Sequence, residues 1–394
     1  MGFLSLFLSL RFTLKSYMQI TIDAHLAEHQ IDGVARYLIG LLNELPSLDR
    51  SIHYTVLDLP RKASGLPDHL FEQNNVTRIE VWMNGPSVGQ HFIMRYLLQK
   101  SKADLYHHPQ FDLPIGIKIP TVVTIHDLKH LRHPNFFTRK IKLKKWYFKR
   151  SLLYSAKHSS QIVAVSQNTK EELEEYVKFD YSKVRVIHHG VNMPPMGSRV
   201  TSGTAGTSML PNAYILFIGT RRPHKNIENL IRMLAILRTE YKFDIHLLIA
   251  GKAYADYNQP EKTARDLSME PFTHFLDFVP EEDLPKLYRS SSIVALPSFY
   301  EGFGFPLLEA MSYGKPVIGS NSTSIPEVLG DAGLLFDPNS PTDMASQAAA
   351  ILSSSEFSAK LSNKALQRAK CFSWKQMAEK TLEVYLKALS NQTK

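Results

Sequence analysis

The chain of 394 residues holds one cysteine, Cys371. A single thiol closes no intramolecular disulfide and completes no Cys-rich zinc site, so an oxidising compartment is not implied and cytoplasm is the expected setting. Long apolar runs are missing too: nothing reaches the roughly 18 to 20 residues that a membrane-spanning helix needs. The opening MGFLSLFLSL is apolar, but it lacks a preceding positive charge and a small-residue cleavage site. Residues 1–17 therefore read as an extension or weak interfacial anchor, with the folded chain starting near Met18. No Asp-x-Asp pair occurs, so that carboxylate pair is not available to grip a divalent ion. A Gly-x-Gly-x-x-Gly fingerprint is absent as well, which argues against a dinucleotide oxidoreductase.

What remains is the composition of an ordinary globular protein, 44% apolar, 10% aromatic and 21% charged, and the length suits two domains of roughly 200 residues. Lys and Arg number 46 against 37 Asp and Glu. Seven of the basic residues fall in TRKIKLKKWYFKR, positions 138–150, which contains no acid. That run, with Leu143, Trp146, Tyr147 and Phe148 between its charges, fits anionic lipid headgroups, with Lys142, Lys144 and Lys145 as the contacts. Equally, it reads as a helix whose apolar stripe packs inward and whose charges are solvated. Zinc-finger spacings, zippers and RNP-like motifs are absent, so no nucleic-acid partner is expected.

Short apolar runs alternate with amphipathic stretches along the chain, the pattern of parallel sheets covered by helices. In the first half strands are expected at 19–22, 53–57, 104–107, 121–125, 161–165 and 184–187. Val34, Leu38, Leu41, Leu42 and Leu45 line one face of a helix after Gly33, and Asn168 with Glu171 reads as a helix-capping pair. A Gly-, Ser-, Thr- and Pro-rich stretch follows Val191 and reads as a linker. The alternation restarts with strands at 214–218, 245–250, 275–278, 293–296 and 316–319 and a helix from Asn226. The expected division is an extension (1–17), a first doubly wound domain (18–192), a linker (193–211), a second such domain (212–372) and a terminal helix (373–394). Ligands of such sheets bind beyond the carboxyl ends of the strands.

Two loops there carry chemistry. GTRRPHKN, residues 219–226, is a tight turn with Arg221, Arg222, His224 and Lys225 before a helix start, suited to a diphosphate. PSFYEGFGFPLLEA, residues 297–310, places Glu301 in a loop and Glu309 just over one turn inside a helix beginning near Phe305, so both carboxylates can face one ligand. Gly302 and Gly304 allow a close backbone approach to that ligand. Alone, these carboxylates also fit a helix-dipole partner and a surface Glu. His126, His130 and His133 have a spacing that would suit metal ligands on one helical face, but Asp127 and Leu128 read as loop.

Together with MSYGKPVIGSNSTSIPEVLGDAGLLFDP, these loops resemble the donor domain of retaining glycosyltransferases of family 4. MQITIDAHLAEHQIDGVARY, TIHDL, IVAVSQNTKEEL and VRVIHHGVN resemble that family's acceptor domain. The resemblance covers the chain from Met18 and implies the GT-B fold, an α/β arrangement of two Rossmann-like domains facing a cleft. It implies that Glu301 binds donor-sugar hydroxyls, that Glu309 binds the nucleotide ribose, that Lys225 binds the diphosphate and that His126 stands beside the sugar ring. Phe303 and Gly304 match positions whose amides contact sugar or phosphate, Phe305 joins them at the helix start, and Gly33 matches a close-approach glycine. Two positions depart from the family pattern: its paired glycines read Asp32-Gly33, and the Arg often found before Lys225 reads His224, a charge that either Arg221 or Arg222 could supply.

The expected activity is metal-free retaining transfer of a hexose, first of all mannose from GDP-mannose, to a glycan or polyisoprenyl-linked acceptor in surface polysaccharide assembly. A cytoplasmic enzyme peripheral on the inner face of the membrane would suit such an acceptor. A UDP-sugar donor, a hydrolysing sugar-nucleotide epimerase of the same fold and a catalytically silent glycan-binding homologue are the alternatives. No cofactor is expected beyond the donor co-substrate, and the residues do not set an oligomeric state.

Overall fold

The computed structural model of the chain describes residues 17–27, 33–82, 88–133, 141–194 and 210–391. The expectations for residues 1–16, for Asp32 and for most of the 193–211 stretch lie outside the described residues. Within them, the first sheet contains β1 (Met18–Asp23), β2 (Ile52–Asp58), β3 (Val76–Glu80), β4 (Leu105–His108), β5 (Thr121–Ile125), β6 (Gln161–Ala164) and β7 (Val184–Val186). Their order is β3-β2-β1-β4-β5-β6-β7, parallel throughout. The second sheet contains β8 (Tyr214–Ile218), β9 (His246–Ala250), β10 (Thr273–Leu276), β11 (Ile293–Leu296), β12 (Val317–Ser320) and β13 (Leu334–Phe336). It runs β10-β9-β8-β11-β12-β13, also parallel. The strand order reverses direction between β1 and β4 and between β8 and β11, and the loops leaving these strands meet in the cleft.

Two strands escape the apolar-run pattern for simple reasons. β3 is an edge strand with one of its five residues buried, and β13 is three residues long. Elsewhere the pattern is physical cause: Ile20 and Ile22 of β1 and Leu38, Leu41, Leu42 and Leu45 of the helix Gly33–Leu48 are all fully buried together. Each such aliphatic side chain contributes about 2 kcal/mol on leaving water. The capping pair expected at Asn168 lies two positions earlier, where Ser166 Oγ accepts from Thr169 N at 3.0 Å and starts the helix Gln167–Tyr176.

The terminal helix Trp374–Ser390 follows the second domain in sequence and packs on the first. Met377, Ala378, Val384, Tyr385 and Ala388 enter the core shared by β1, β2 and the helix Gly33–Leu48. Tyr385 Oη also lies 2.6 Å from His107 Nδ1 at the end of β4. The chain therefore returns across the cleft and ties the two domains. Among the described residues no helix is long and apolar enough to cross a membrane.

Candidate active site

The two second-domain loops are pinned to each other. Asn226, in the left-handed conformation at φ 57°, donates from Nδ2 to Pro297 O (2.9 Å) and Pro338 O (2.7 Å), and Phe299 N donates to His224 O at 2.9 Å. This brings Lys225 Nζ to 2.6 Å from Glu301 Oε1, which also accepts from Ser298 Oγ at 2.7 Å. Both charged side chains are mostly buried, and each neutralises the other. The Glu301 backbone is held on both sides, N to Thr323 Oγ1 at 3.0 Å and O from Ser324 Oγ at 3.0 Å. The helix Phe305–Ser312 begins where the sequence indicates, with Gly304 at φ +102°, a conformation that costs glycine little. Glu309 on this helix accepts from Tyr288 Oη at 2.6 Å through Oε2.

The arginines before Lys225 have different fates. Arg221 is buried, donating to Gly251 O at 3.1 Å and Glu261 at 2.7 Å and pairing with Asp277, so its guanidinium is spent inside the domain. Arg222 is about a third exposed, lying over the Tyr254 ring and 3.7 Å from Asp256. Of the two, Arg222 is the cation with a free side toward solvent.

From the first domain, His126 follows directly on β5. Its carbonyl oxygen packs against Gly302 so closely that a Cβ there would overlap it. The small residue in EGFGF thus serves a contact between domains, which packs the His126 backbone against the residue after Glu301. Burial, followed by the opposed effects of Asp127 and Lys129, lowers the His126 pKa to about 4, so the ring is neutral at pH 7. It makes one hydrogen bond, to the Pro109 carbonyl, while its Nε2 is buried with no partner. With Nδ1 donating, Nε2 is a lone-pair acceptor awaiting a donor. The ring packs edge-on to Tyr37 at 5.0 Å and parallel to His189 at 5.5 Å, and His189 stacks on Phe305 at 4.7 Å. Burial also drives His189 well below the ordinary histidine value. Phe303 is buried against His189 and Phe372. Gly33 opens its helix against the Phe305 ring, where a Cβ would find an ordinary 3.7 Å contact.

Five residues that the sequence patterns do not single out belong here: Arg36, Tyr37, His189, Tyr288 and Ser298. HHG in VRVIHHGVN and GVARY after Gly33 hold three of them, but nothing local says which loop they meet. Arg36 Nη1 contacts Glu309 Oε1 across the cleft. Further out, Tyr300 Oη accepts from Leu128 N at 2.8 Å and donates to Glu172 at 2.5 Å. Glu327 accepts from Gln167 N at 2.8 Å and His188 Nε2 at 2.6 Å. These contacts hold the domains together beside the site.

The metal spacing of three histidines does not become a cluster. His130 lies over Phe148 at 4.1 Å, His133 faces Tyr300 at 5.6 Å and His126 faces Tyr37. Among the described residues no group of three or more His, Cys, Asp or Glu side chains is placed to hold a metal ion. The basic run divides by face on the helix Ile141–His158. Phe148, Leu152 and Ala156 turn inward, whereas Lys145, Trp146, Tyr147, Lys149 and Arg150 are exposed. Lys142 and Lys144 stand in the first turn, and their side chains lie outside the described ones.

Comparison with known proteins agrees with this architecture. Residues 31–193 match the family described as Glycosyltransferase Family 4, and residues 208–368 match Glycosyl transferases group 1. The O-antigen chain mannosyltransferase B of Escherichia coli is 30% identical over 295 residues, covering 74% of this chain and 76% of that protein. In structure, the sucrose-phosphate synthase of Thermosynechococcus elongatus superposes with a TM-score of 0.74 at 17% identity, covering 95% of this chain and all of that one. Anabaena HepE in complex with UDP and glucose gives 0.71 at 18% identity, covering 93% and 99%. With two parallel Rossmann-like domains facing a cleft and matches to both halves, the chain belongs to the family-4 glycosyltransferases of the GT-B fold and is a glycosyl-transferring enzyme of their mannosyltransferase-like branch.

Proposed function

We propose that this enzyme transfers mannose from GDP-mannose, with retention and without a metal, to a glycan or polyisoprenyl-linked acceptor of a surface polysaccharide. The observation that carries the reading is the paired Glu301 and Lys225 in the second domain, with the backbone of His126, whose Nε2 is an unpartnered neutral acceptor, packed against the adjoining Gly302 from the first. One carboxylate and one imidazole acceptor suit sugar hydroxyls; one ammonium beside them suits the departing diphosphate. In the reaction the bond from C1 to the diphosphate oxygen breaks and a bond from C1 to the acceptor oxygen forms on the same face. The acceptor proton passes to the departing diphosphate, whose charge Lys225, with Arg222 in reach of the same loop, offsets. Glu309 takes the ribose in this reading. The donor base rests on likeness to an O-antigen mannosyltransferase; a UDP-sugar is the second reading, favoured by the UDP held in the HepE structure.

A thermal-shift panel of GDP, UDP, ADP and dTDP tests the base, since the nucleotide that binds best stabilises most by mass action. Turnover with the matching donor, followed by NMR of the product's anomeric configuration in EDTA, tests the rest. An inverted product, or activity abolished by EDTA, overturns the mechanism; nucleotide release that needs no acceptor favours the epimerase.

The exposed face of Lys145, Trp146, Tyr147, Lys149 and Arg150 is assigned to docking on an anionic bilayer, through charge complementarity with aromatic side chains at the interface. Binding to vesicles containing phosphatidylglycerol should then fall with salt and with Lys145→Glu combined with Lys149→Glu. Binding that ignores both returns the helix to a solvated face.

A further inference from the structure

Both oxygens of Glu309 are engaged before any ligand arrives. Tyr288 Oη, from the same domain and buried, donates to Oε2 at 2.6 Å. Arg36 Nη1 contacts Oε1 from the first turn of the helix Gly33–Leu48, in the other domain and 273 positions away in the chain. Both side chains of the ion pair are about four-fifths buried, so the contact between the domains stands partly shielded from water. A carboxylate oxygen has two lone pairs, so each oxygen of Glu309 keeps one acceptor site. Two vicinal hydroxyls match that arrangement, one on each oxygen, with Arg36 holding Oε1 and Tyr288 holding Oε2.

We propose that Arg36 is a positioning residue for the donor: from the first domain it fixes the Glu309 carboxylate in the orientation that accepts the ribose diol. The ribose site is then complete only when the two domains meet, and nucleotide binding favours the closed arrangement through reciprocal coupling. The proposal rests on the reading of Glu309 as the ribose ligand and adds the residue that makes this recognition depend on domain closure. An Arg36 that merely braces the domains would affect every ligand of the cleft alike, whether or not it carries ribose hydroxyls.

The test crosses protein variants with ligand hydroxyls. Calorimetric titrations of the full chain use GDP and UDP, each against its 2′,3′-dideoxy counterpart. Wild type should bind the ribo form of its preferred nucleotide about tenfold or more tightly than the dideoxy form. Arg36→Gln should lose about tenfold with the ribo ligand and less than twofold with the dideoxy one. Arg36→Lys, which keeps a cation on the helix, should show a smaller loss that is again confined to the ribo ligand. Equal losses for both ligands in these variants, or no loss in either, overturn the proposal. A wild type that does not distinguish ribo from dideoxy nucleotide overturns the ribose reading of Glu309 itself, a failure separable from the first.

Discussion

Replacing His126 by Leu separates a functional histidine from a structural one. The buried Nε2 has no partner, and an unsatisfied buried acceptor costs about 1 to 3 kcal/mol, which the variant recovers. It forfeits the hydrogen bond to the Pro109 carbonyl, about 0.5 to 1.5 kcal/mol, and keeps most of the apolar contact with Tyr37 and His189. The balance runs from about 0.5 kcal/mol of lost stability to about 2.5 kcal/mol gained, unlike the loss of roughly 2 to 5 kcal/mol that large-to-small substitutions in a core cause. Turnover should nevertheless fall about 100-fold, or ~2.7 kcal/mol, because the lost acceptor is asked to hold the sugar in the transition state. Affinity for the free nucleotide diphosphate should stay within a few-fold. Urea melts and steady-state hexosyl transfer on the same preparations give both numbers. The pH dependence adds a second check. His126 is protonated only near pH 4 when folded and near 6.5 when unfolded, so the unfolded chain binds the extra proton and stability falls as pH drops through that window. Leu at this position should make that loss shallower. A loss of 3 kcal/mol or more with normal turnover would refute the reasoning and make His126 a packing residue.

Lys225→Ala removes the cation beside Glu301 and should weaken nucleotide diphosphate binding by about tenfold or more in calorimetry; unchanged affinity takes Lys225 out of the site. Arg221→Ala strands Glu261 and Gly251 O and should lower stability by about 1 to 2 kcal/mol with little change in diphosphate affinity, whereas Arg222→Ala should do the reverse; urea melts paired with titrations distinguish them. His108, where burial is outweighed by hydrogen bonds to Asp112 and Asp23, is raised to about 9. Its contribution is present below pH 6.5 and is lost as pH rises through 9, so wild type should shed up to about 3 kcal/mol across that window relative to His108→Asn in urea melts. A slope identical in the two proteins would remove the buried cation from the account.

Sequence by itself determined the layout of this protein because its signals are local. Short runs rich in β-branched and apolar residues, bounded by turns and separated by amphipathic stretches, read as strands of parallel sheets covered by helices, so β1, β5, β8 and β11 were legible almost to the residue. The start of the helix at Phe305 was equally local, fixed by Gly304 and the Pro that follows. Contacts between distant segments were not legible. Nothing near Arg36 indicates Glu309, nothing in the apolar face of Trp374–Ser390 indicates the first domain rather than the second, and Arg221 and Arg222 are identical until the fold buries one against Asp277 and leaves the other over Tyr254. The tertiary structure decided these because periodicity records that a face must be buried and not what buries it. Which loops meet depends on strand order and on how the two sheets face each other, and no pattern of a few neighbouring residues encodes either.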